Sequence, residues 1–567
     1  MTSTALQTRL AAATGLVNPS TGRAITRGDV AAIRIRASLE PASDGNINPY
    51  SYDSAQPWTR EMSAWLPQLR SPDSELEWDR DRMAARARDL VRNDGWARGA
   101  INRLLDAMIG NHFFPMPRPN WRGLARQFGS KFDAVWAAEF ASAIKSEWRL
   151  WANDPLHSAD ATQTGTVTQL LRLAARSEMV EGDSLIFVGA DLDARASGLA
   201  RYATTLMVVD PDRLSNPFHG PDLADRRGGV QVDIGTGRPL GYHIQRAHDY
   251  DPYLTAASTI WDYIPRRTAS GRPVLVHGFD RERGGQHRGV GVLHAVLGRF
   301  RMLNRYDATS LQAAMARATL GFFMTSMQDE QSAQDALSTA EDAGSEEFYQ
   351  NLAGAMLNQQ PVMMNGVRVP VLPPGEKMNM VAGPGHADDY DAFQAAGLRM
   401  ISAATGQSAT EVDNNFKDIN YSSFRGSILQ AWRAVMRRRS DFAANTATPV
   451  YGAFIEEALQ LLPDLLPRNV PIDEFPRMRA ALSEARWVGS GRGWVDPVKE
   501  RQGEVLGLDA GFGTLEDTCA DIEGEDWEER LDQRAIEVAA FKARGLKLPE
   551  VYQPSNATED DKKPQAA

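Results

Sequence analysis

Apolar residues in the first third of the chain recur every three or four positions, the spacing of one face of an α-helix. Met83, Ala87, Leu90 and Val91 share one such face, and Ala100, Ile101, Leu104, Leu105 and Met108 share a second. Asn93-Asp94-Gly95 marks the break between these two helices, the first of which begins near Asp79. Phe132, Trp136, Phe140, Ile144 and Trp148 then fall at every fourth position, and so many large rings on one stripe predict core rather than a ligand site. A further helix is predicted from Thr166 to Val180, capped at Thr164. Between 184 and 277 the pattern shortens into β-rich runs, at 185–188, 206–209, 230–234 and 240–244, divided by Gly, Pro and Asp turns. They predict a small, largely antiparallel β region inside a helical protein.

Helical spacing returns over 291–323, where Leu293, Leu297, Phe300, Leu311 and Met315 supply the apolar side and no proline falls between 274 and 360. Residues 324–385 begin acidic and Gln-rich and read as a compact α/β insertion, with a short helix near Phe348 to Met356 and the run Met378 to Val381. A helix over 386–404 follows, carrying Tyr390, Phe393, Leu398 and Ile401, then a polar connection over 405–420 that contains Asn414, Asn415, Lys417 and Asp418. The next helix opens at Tyr421, passes Trp432 and Arg437-Arg438-Arg439, and has no proline as far as Thr448. Tyr451 to Leu462 is helical, 475–500 mixed, 504–529 strongly acidic, and a last helix lies near Leu531 to Lys542. Residues 1–75 are expected to form a partly disordered arm and residues from 549 a disordered tail, because neither sustains a periodicity. No internal repeat is evident.

Composition narrows the class. A chain of 567 residues has a length prior of roughly three or four domains. It is 43% hydrophobic and 24% charged, and no apolar run approaches the roughly 18 residues of a membrane span. The first residues lack the apolar segment of a secretory signal. Cys519 is the only cysteine, so an intrachain disulfide is excluded and a reducing, intracellular site of synthesis is expected. A net charge of −11 argues against a broad basic face gripping nucleic acid and not against a protein that DNA slides through, though many ordinary soluble proteins are equally acidic.

Catalytic motifs are missing. The chain has no G-x-x-x-x-G-K-[ST] loop, no H-E-x-x-H and no G-x-S-x-G elbow. Gly489-Ser-Gly-Arg-Gly493 lacks the Lys-Ser/Thr pair of a phosphate loop and reads as a tight turn beside Trp487 and Trp494. His277, His287 and His294 are spaced irregularly for metal binding, and the pairs Asp388-Asp389 and Asp560-Asp561 read as solvated carboxylates. No cofactor, metal or enzymatic activity is expected.

Several fragments, in one order, carry a family likeness. They are Arg88-Asp-Leu-Val-Arg-Asn-Asp-Gly-Trp-Ala-Arg-Gly-Ala-Ile-Asn102 continuing to Phe114; Asp210-Pro-Asp-Arg-Leu-Ser-Asn-Pro217; and Gly228-Gly-Val-Gln-Val-Asp-Ile234 with Gly241-Tyr242. Val276-His277, Arg288-Gly289, Tyr421-Ser-Ser, Trp487-Val-Gly-Ser-Gly-Arg492 and Lys499-Glu500 continue the series. Over residues 50 to 550 the chain resembles the portal proteins of lambda-type tailed bacteriophages. The resemblance implies an α+β, mainly helical portal fold of wing, stem, clip and crown. It implies a homo-oligomeric ring, typically of twelve subunits, at one capsid vertex of the virion, assembled in the host cytoplasm. Double-stranded DNA would pass through it non-specifically during packaging and ejection. The terminase large subunit and the head–tail connector would dock on it, major capsid and scaffolding proteins would be its neighbours, and no membrane is involved. Mapped by order, the arm is 1–75, the wing 76–290, the stem helices 291–323 and 386–404, and the clip 324–385. The tunnel loop is 405–420, the long helix and its successor 421–470, the crown region 471–548 and the tail 549–567.

Within that map Asn414 and Asn415 would offer neutral donors and acceptors to passing phosphates, while Lys417 and Asp418 nearly cancel. Asp329 and Glu330 on the clip would carry docking. The competing reading of 405–420 is a plain helix connection whose Asn residues satisfy their own backbone. Two other classes compete for the whole chain. A packaging enzyme, terminase or nuclease, would need the missing ATP loop or metal carboxylates. A capsid shell protein would not be expected to hold helix, insertion, helix, loop and helix at its centre.

Overall fold

A computed structural model of the chain describes residues 63–320, 362–364, 367–369, 390–415, 420–467 and 470–547. The chain divides into two compact units, 1–70 and 71–567. Of the first, residues 63–70 are described, an irregular run with Trp65, Leu66 and Leu69 exposed. Residues 1–62 of the predicted arm and the tail from 549 lie outside the described residues, but the arm's last residues are ordered, forming the short helix Pro72–Leu76 capped by Ser71, with Asp73 bonded to His287. Everything that follows concerns the second unit.

That unit is mainly helical with small antiparallel sheets. The two opening helices are Arg80–Asn93 and Gly95–Met108. Asp94 both ends one and starts the other: its backbone turns extended and its side chain accepts a bond from the Ala97 N–H at 2.7 Å. Ala97, Ala100, Ile101, Leu104 and Leu105 are buried, as their spacing predicts. The aromatic stripe lies on the helix Ala134–Ala152, where Phe140, Ile144 and Trp148 are buried. Trp148 meets Trp151, Tyr451, Phe454 and Trp487 at ring-centroid separations of 5.1–5.9 Å. These rings join N-terminal and C-terminal segments in one core. The next helix is Val167–Glu181, and its cap is Thr166 rather than Thr164, because Gln169 at the third helical position completes a reciprocal capping box with Thr166.

Two small sheets form the β region, both antiparallel. Ser184–Ala190 is the centre strand between Thr204–Val209 and Leu275–Gly278. The second sheet runs Arg226–Arg227, Val230–Val232, Pro239–Gln245, Trp261–Pro265 in chain order. Trp261–Pro265 and Leu275–Gly278 escape the apolar pattern, since the first is half-exposed and the second is four residues long. A further pair, Phe114–Pro117 with Ala485–Val488, staples the two ends of the unit together.

The helix predicted over 291–323 begins later, at Leu297, after a single turn at His294–Val296. Residues 289–291 cannot be helical because they cross the end of the Val167–Glu181 helix at backbone contact. A Cβ on Gly289 would lie 1.9 Å from the Gly182 carbonyl. The helix Leu297–Leu320 buries Phe300 and Leu303 but leaves Leu311 63% exposed. Beside it runs Tyr390–Thr405, with Tyr306 stacked on Tyr390 and tilted against Phe393, and Tyr390 Oη donating to Asp307 Oδ1 at 3.0 Å. Between the two, the hairpin Val362–Met364 with Val367–Val369 is described. The expected helix near 348–356 and the run 378–381 lie outside the described residues. Tyr421–Phe442 continues through a π-turn, Ala443–Ala447, into Thr448–Leu461. The last helix is Trp527–Ala543, longer at its start than its apolar spacing suggests because Asp526 caps it. Among the described residues no helix is long and apolar enough to cross a membrane.

Candidate functional site

The connection 405–420 begins where Gly406 turns left-handed (φ +76°) and ends the helix Tyr390–Thr405. Gln407 Nε2 then donates to the Ala100 carbonyl at 3.1 Å, tying the turn to the Gly95–Met108 helix. Ser408 and Glu411 form a capping box that starts a short helix, Ala409–Asp413, within a segment expected to be loop. The Ser408-x-x-Glu411 spacing is the signal that could have revealed it. Val412 is fully buried, and its carbonyl accepts from Arg103 Nη1 at 3.3 Å. The connection is therefore anchored, not draped.

Asn414 takes the left-handed conformation (φ +53°) that ends this helix, and Asn415 N–H bonds to Asp413 Oδ1 at 2.8 Å. Both asparagines are exposed. At the far end Asn420 Oδ1 accepts from Ser423 N–H at 2.8 Å and caps Tyr421–Phe442. The asparagines thus serve the local backbone at Asn414 and Asn420, as the plain-connection reading requires. Asn414 borders an open groove with Asp94, Trp96, Arg103, Asn304 and Asp307. Lys417, Asp418, Asp329 and Glu330 lie outside the described residues, so Asn414 and Asn415 are the predicted site residues whose geometry is defined.

A second constellation gathers the fragments that carried the family likeness. Asp183, fully buried, accepts from Arg288 Nε at 2.8 Å, from His277 Nε2 at 2.9 Å and from the Gly289 N–H at 2.7 Å, with Arg80 Nη2 3.4 Å away. Burial alone would raise its pKa, but Arg288, His277 and Arg80 hold it far below the usual carboxylate range. Burial keeps His277 below its ordinary value, hence a neutral donor. Arg288 spends its remaining donors on the carbonyls of Leu214, Gly228 and Pro211. Nearby, Arg88 bonds Glu181 at 2.6 Å, Asp210 at 2.7 Å and Asp212. Segments from 80, 183, 210, 228, 277 and 288 meet here, and sequence spacing alone could not show that Asp183 is their centre.

The centre of this cluster is structural: Asp183 and Arg288 are buried and bonded to protein groups, while Arg80 Nε has no partner, and Arg80 and Arg288 also line an open hollow of about 220 Å³. Asp210, Asp212 and His248 form a metal-like grouping among the described residues, but the Arg88 guanidinium already occupies the carboxylates of Asp210 and Asp212. The three histidines singled out in the sequence are apart: His287 bonds Asp73 and the Gly237 carbonyl, and His294 the Gly291 carbonyl. Gly489–Gly493 is not the local tight turn expected but an irregular run whose backbone bonds to a distant segment, Arg492 N–H to Asp521 O at 3.0 Å. Ser490 O accepts from Arg439 Nη2, and Gly493 N–H bonds to Ile522 O at 2.9 Å.

A family model described as phage portal protein, lambda family, matches residues 59–439. Portal protein B of Escherichia phage lambda is 32% identical over 495 residues, covering 86% of this chain and 89% of that protein. The portal protein of Escherichia phage N15 is 31% identical over 492 residues, covering 86% and 90%. Among solved structures, a chain from the neck of a native gene transfer agent particle, computed with C12 symmetry, aligns over 78% of this chain and 92% of its own length. Its sequence identity is 13% and its TM-score 0.35.

Proposed function

The chain belongs to the lambda family of phage portal proteins, and from that premise we propose how its parts divide a portal's work. Copies close into a ring, typically of twelve, at one capsid vertex, and duplex DNA enters and leaves through the middle. Residues 76–290 form the outer wing, the helices 291–323 and 386–404 the stem, 324–385 the clip, and 471–548 the crown region. The clip, with Asp329 and Glu330, receives the terminase motor and later the head–tail connector. The connection 405–420 faces the DNA.

The observation that carries this reading is the build of that connection. Val412, Gln407 and the cap of Asn420 fix it at both ends, while Asn414 and Asn415, both neutral, are exposed. Neutral amides exchange bonds with phosphates without the counterion release that makes a basic lining hold DNA. Ring closure is supported by the long helices, whose Leu311, Phe393 and Met400 are exposed in the single chain and suit packing against neighbours. The test is axial electron microscopy of the purified assembly, followed by in vitro packaging with the ring carrying Ala at 414, 415 and 417. A closed ring with a central channel and a packaging defect in the variant supports the assignment. A ring that packages full-length DNA normally with all three replaced removes the connection from the DNA path.

A further inference from the structure

Although the chain is acidic, arginines crowd one hollow of about 390 Å³ between the helices Arg80–Asn93, Gly95–Met108 and Val167–Glu181. Its floor is apolar, with Val91 and Val180 buried and Leu173 half-exposed. On its rim Arg98 has no carboxylate partner among the described residues, and Arg92 reaches only Asp89, at 3.4 Å. Arg176 bonds a neutral group, Asn102 Oδ1, at 2.9 Å. Burial, with the like charges of Arg98 and Arg172, pulls the Arg176 pKa below its ordinary value. Crowded cations with too few anions are destabilising in an isolated chain and are relieved by an acidic partner.

A matching surface lies elsewhere on the same chain. From 502 to 529 the sequence has ten carboxylates and no Lys or Arg. Most are met by Arg118, Lys145, Arg149, Arg486, Arg501 and Arg530. Glu504 and Asp509 have no cationic partner among the described residues. Both stand on the helix Pro497–Asp509, which buries only Glu500. Beside them Val505, Leu506 and Phe512 are exposed, Phe512 at 92%. Among the described residues no hydrogen bond or ion pair joins this acidic, apolar knob to the arginine hollow.

We propose that the hollow edged by Arg92, Arg98 and Arg176 receives the Pro497–Asp509 helix of a neighbouring copy, Leu506 and Phe512 against Leu173 and the carboxylates against the arginines. A rotational ring is built from such head-to-tail contacts, in which two different surfaces of one chain meet. Duplex DNA suits the hollow less well. Its floor of Val91, Leu173 and Val180 is apolar, which suits Leu506 and Phe512 and offers nothing to a phosphate backbone. The contact rests on the ring reading above.

Native mass spectrometry of the full-length chain across a salt series tests it. The wild type should give a ring, and Arg98→Glu with Arg176→Glu should raise the concentration needed for the ring at least tenfold. Glu504→Lys with Asp509→Lys should do the same, and all four changes together should recover assembly. Because Arg176 is partly buried, Arg98→Glu alone serves as the surface variant, with a smaller loss in the same direction. Rings from both charge-reversed variants as stable as wild type overturn the contact and leave the ring reading standing. Four-fold variants that assemble no better than the doubles also overturn it. So does loss confined to binding of a 20-base-pair duplex with assembly unchanged. A wild-type chain that stays monomeric at every concentration overturns the ring and the contact together.

Discussion

Two carboxylates close in sequence, Glu178 and Asp183, are driven in opposite directions by their surroundings. Asp183 is ionised among Arg288, His277 and Arg80, so its contribution to stability is present above the usual carboxylate range and is lost as pH falls through its depressed value. Glu178 is partly buried with no ion pair among the described residues, and loss of solvent, then the charges of Asp183 and Asp280, push it up to about 8. The sign reverses: its contribution is complete below the unfolded value near 4.5 and declines as pH rises to about 8. Each pH unit in that window costs at most ~1.4 kcal/mol. Urea melts of Glu178→Gln should show a variant that gains on wild type between pH 5 and pH 8; a constant difference would count against a partly buried, protonated Glu178. Replacing Asp183 by Ala leaves Arg288 uncompensated in the interior and should cost ~3–5 kcal/mol by the same melts.

At the scale of elements the connection 405–420 should matter for transit and little for folding. Ala at Asn414, Asn415 and Lys417 is expected to shift stability by no more than ~0.5 kcal/mol per site, as for ordinary surface changes. Packaging or retention of DNA should suffer instead. Asn414→Arg adds one cation per subunit around the duplex and should slow translocation most at low salt, an effect that a packaging assay against salt would read directly. Existence and type of the long helices were legible in the chain because periodicity survives wherever one face is buried: Ile101, Leu104 and Leu105, or Phe140, Ile144 and Trp148, show it. Boundaries were less so. The start at Leu297 is set by the backbone crossing of Gly289 and Gly182, a contact between distant segments. Strands such as Leu275–Gly278 were too short to carry a period, and Asp183 looked like any turn residue until its partners from 80, 277 and 288 were brought around it.

For the molecule as a whole the expected assembly is large and discrete, and native mass spectrometry should find it. Purified protein with magnesium, ATP and duplex DNA should release no phosphate above background and leave the DNA intact. Turnover that survives purification and vanishes on changing one carboxylate would overturn that expectation. Charge reversal at Asp329 and Glu330 should weaken capture of the terminase large subunit while the ring remains whole, which pull-down from assembled rings would measure. The lambda-family match over 59–439 and the relatives' coverage of most of the chain give these expectations their frame.

The π-turn at Ala443–Ala447 has a mechanical consequence. It holds one residue more than an α-turn, so the rod from Tyr421 to Leu461 contains a stored length of backbone beside the buried hydroxyls of Ser184 and Thr446. Drawing that residue into α register would advance the Tyr421–Phe442 segment by ~1.5 Å and rotate it by roughly a quarter-turn while every amide keeps an acceptor. Arg437 and Arg438 would then face different neighbours. In such a shift the joint would trade twist for travel without breaking the rod.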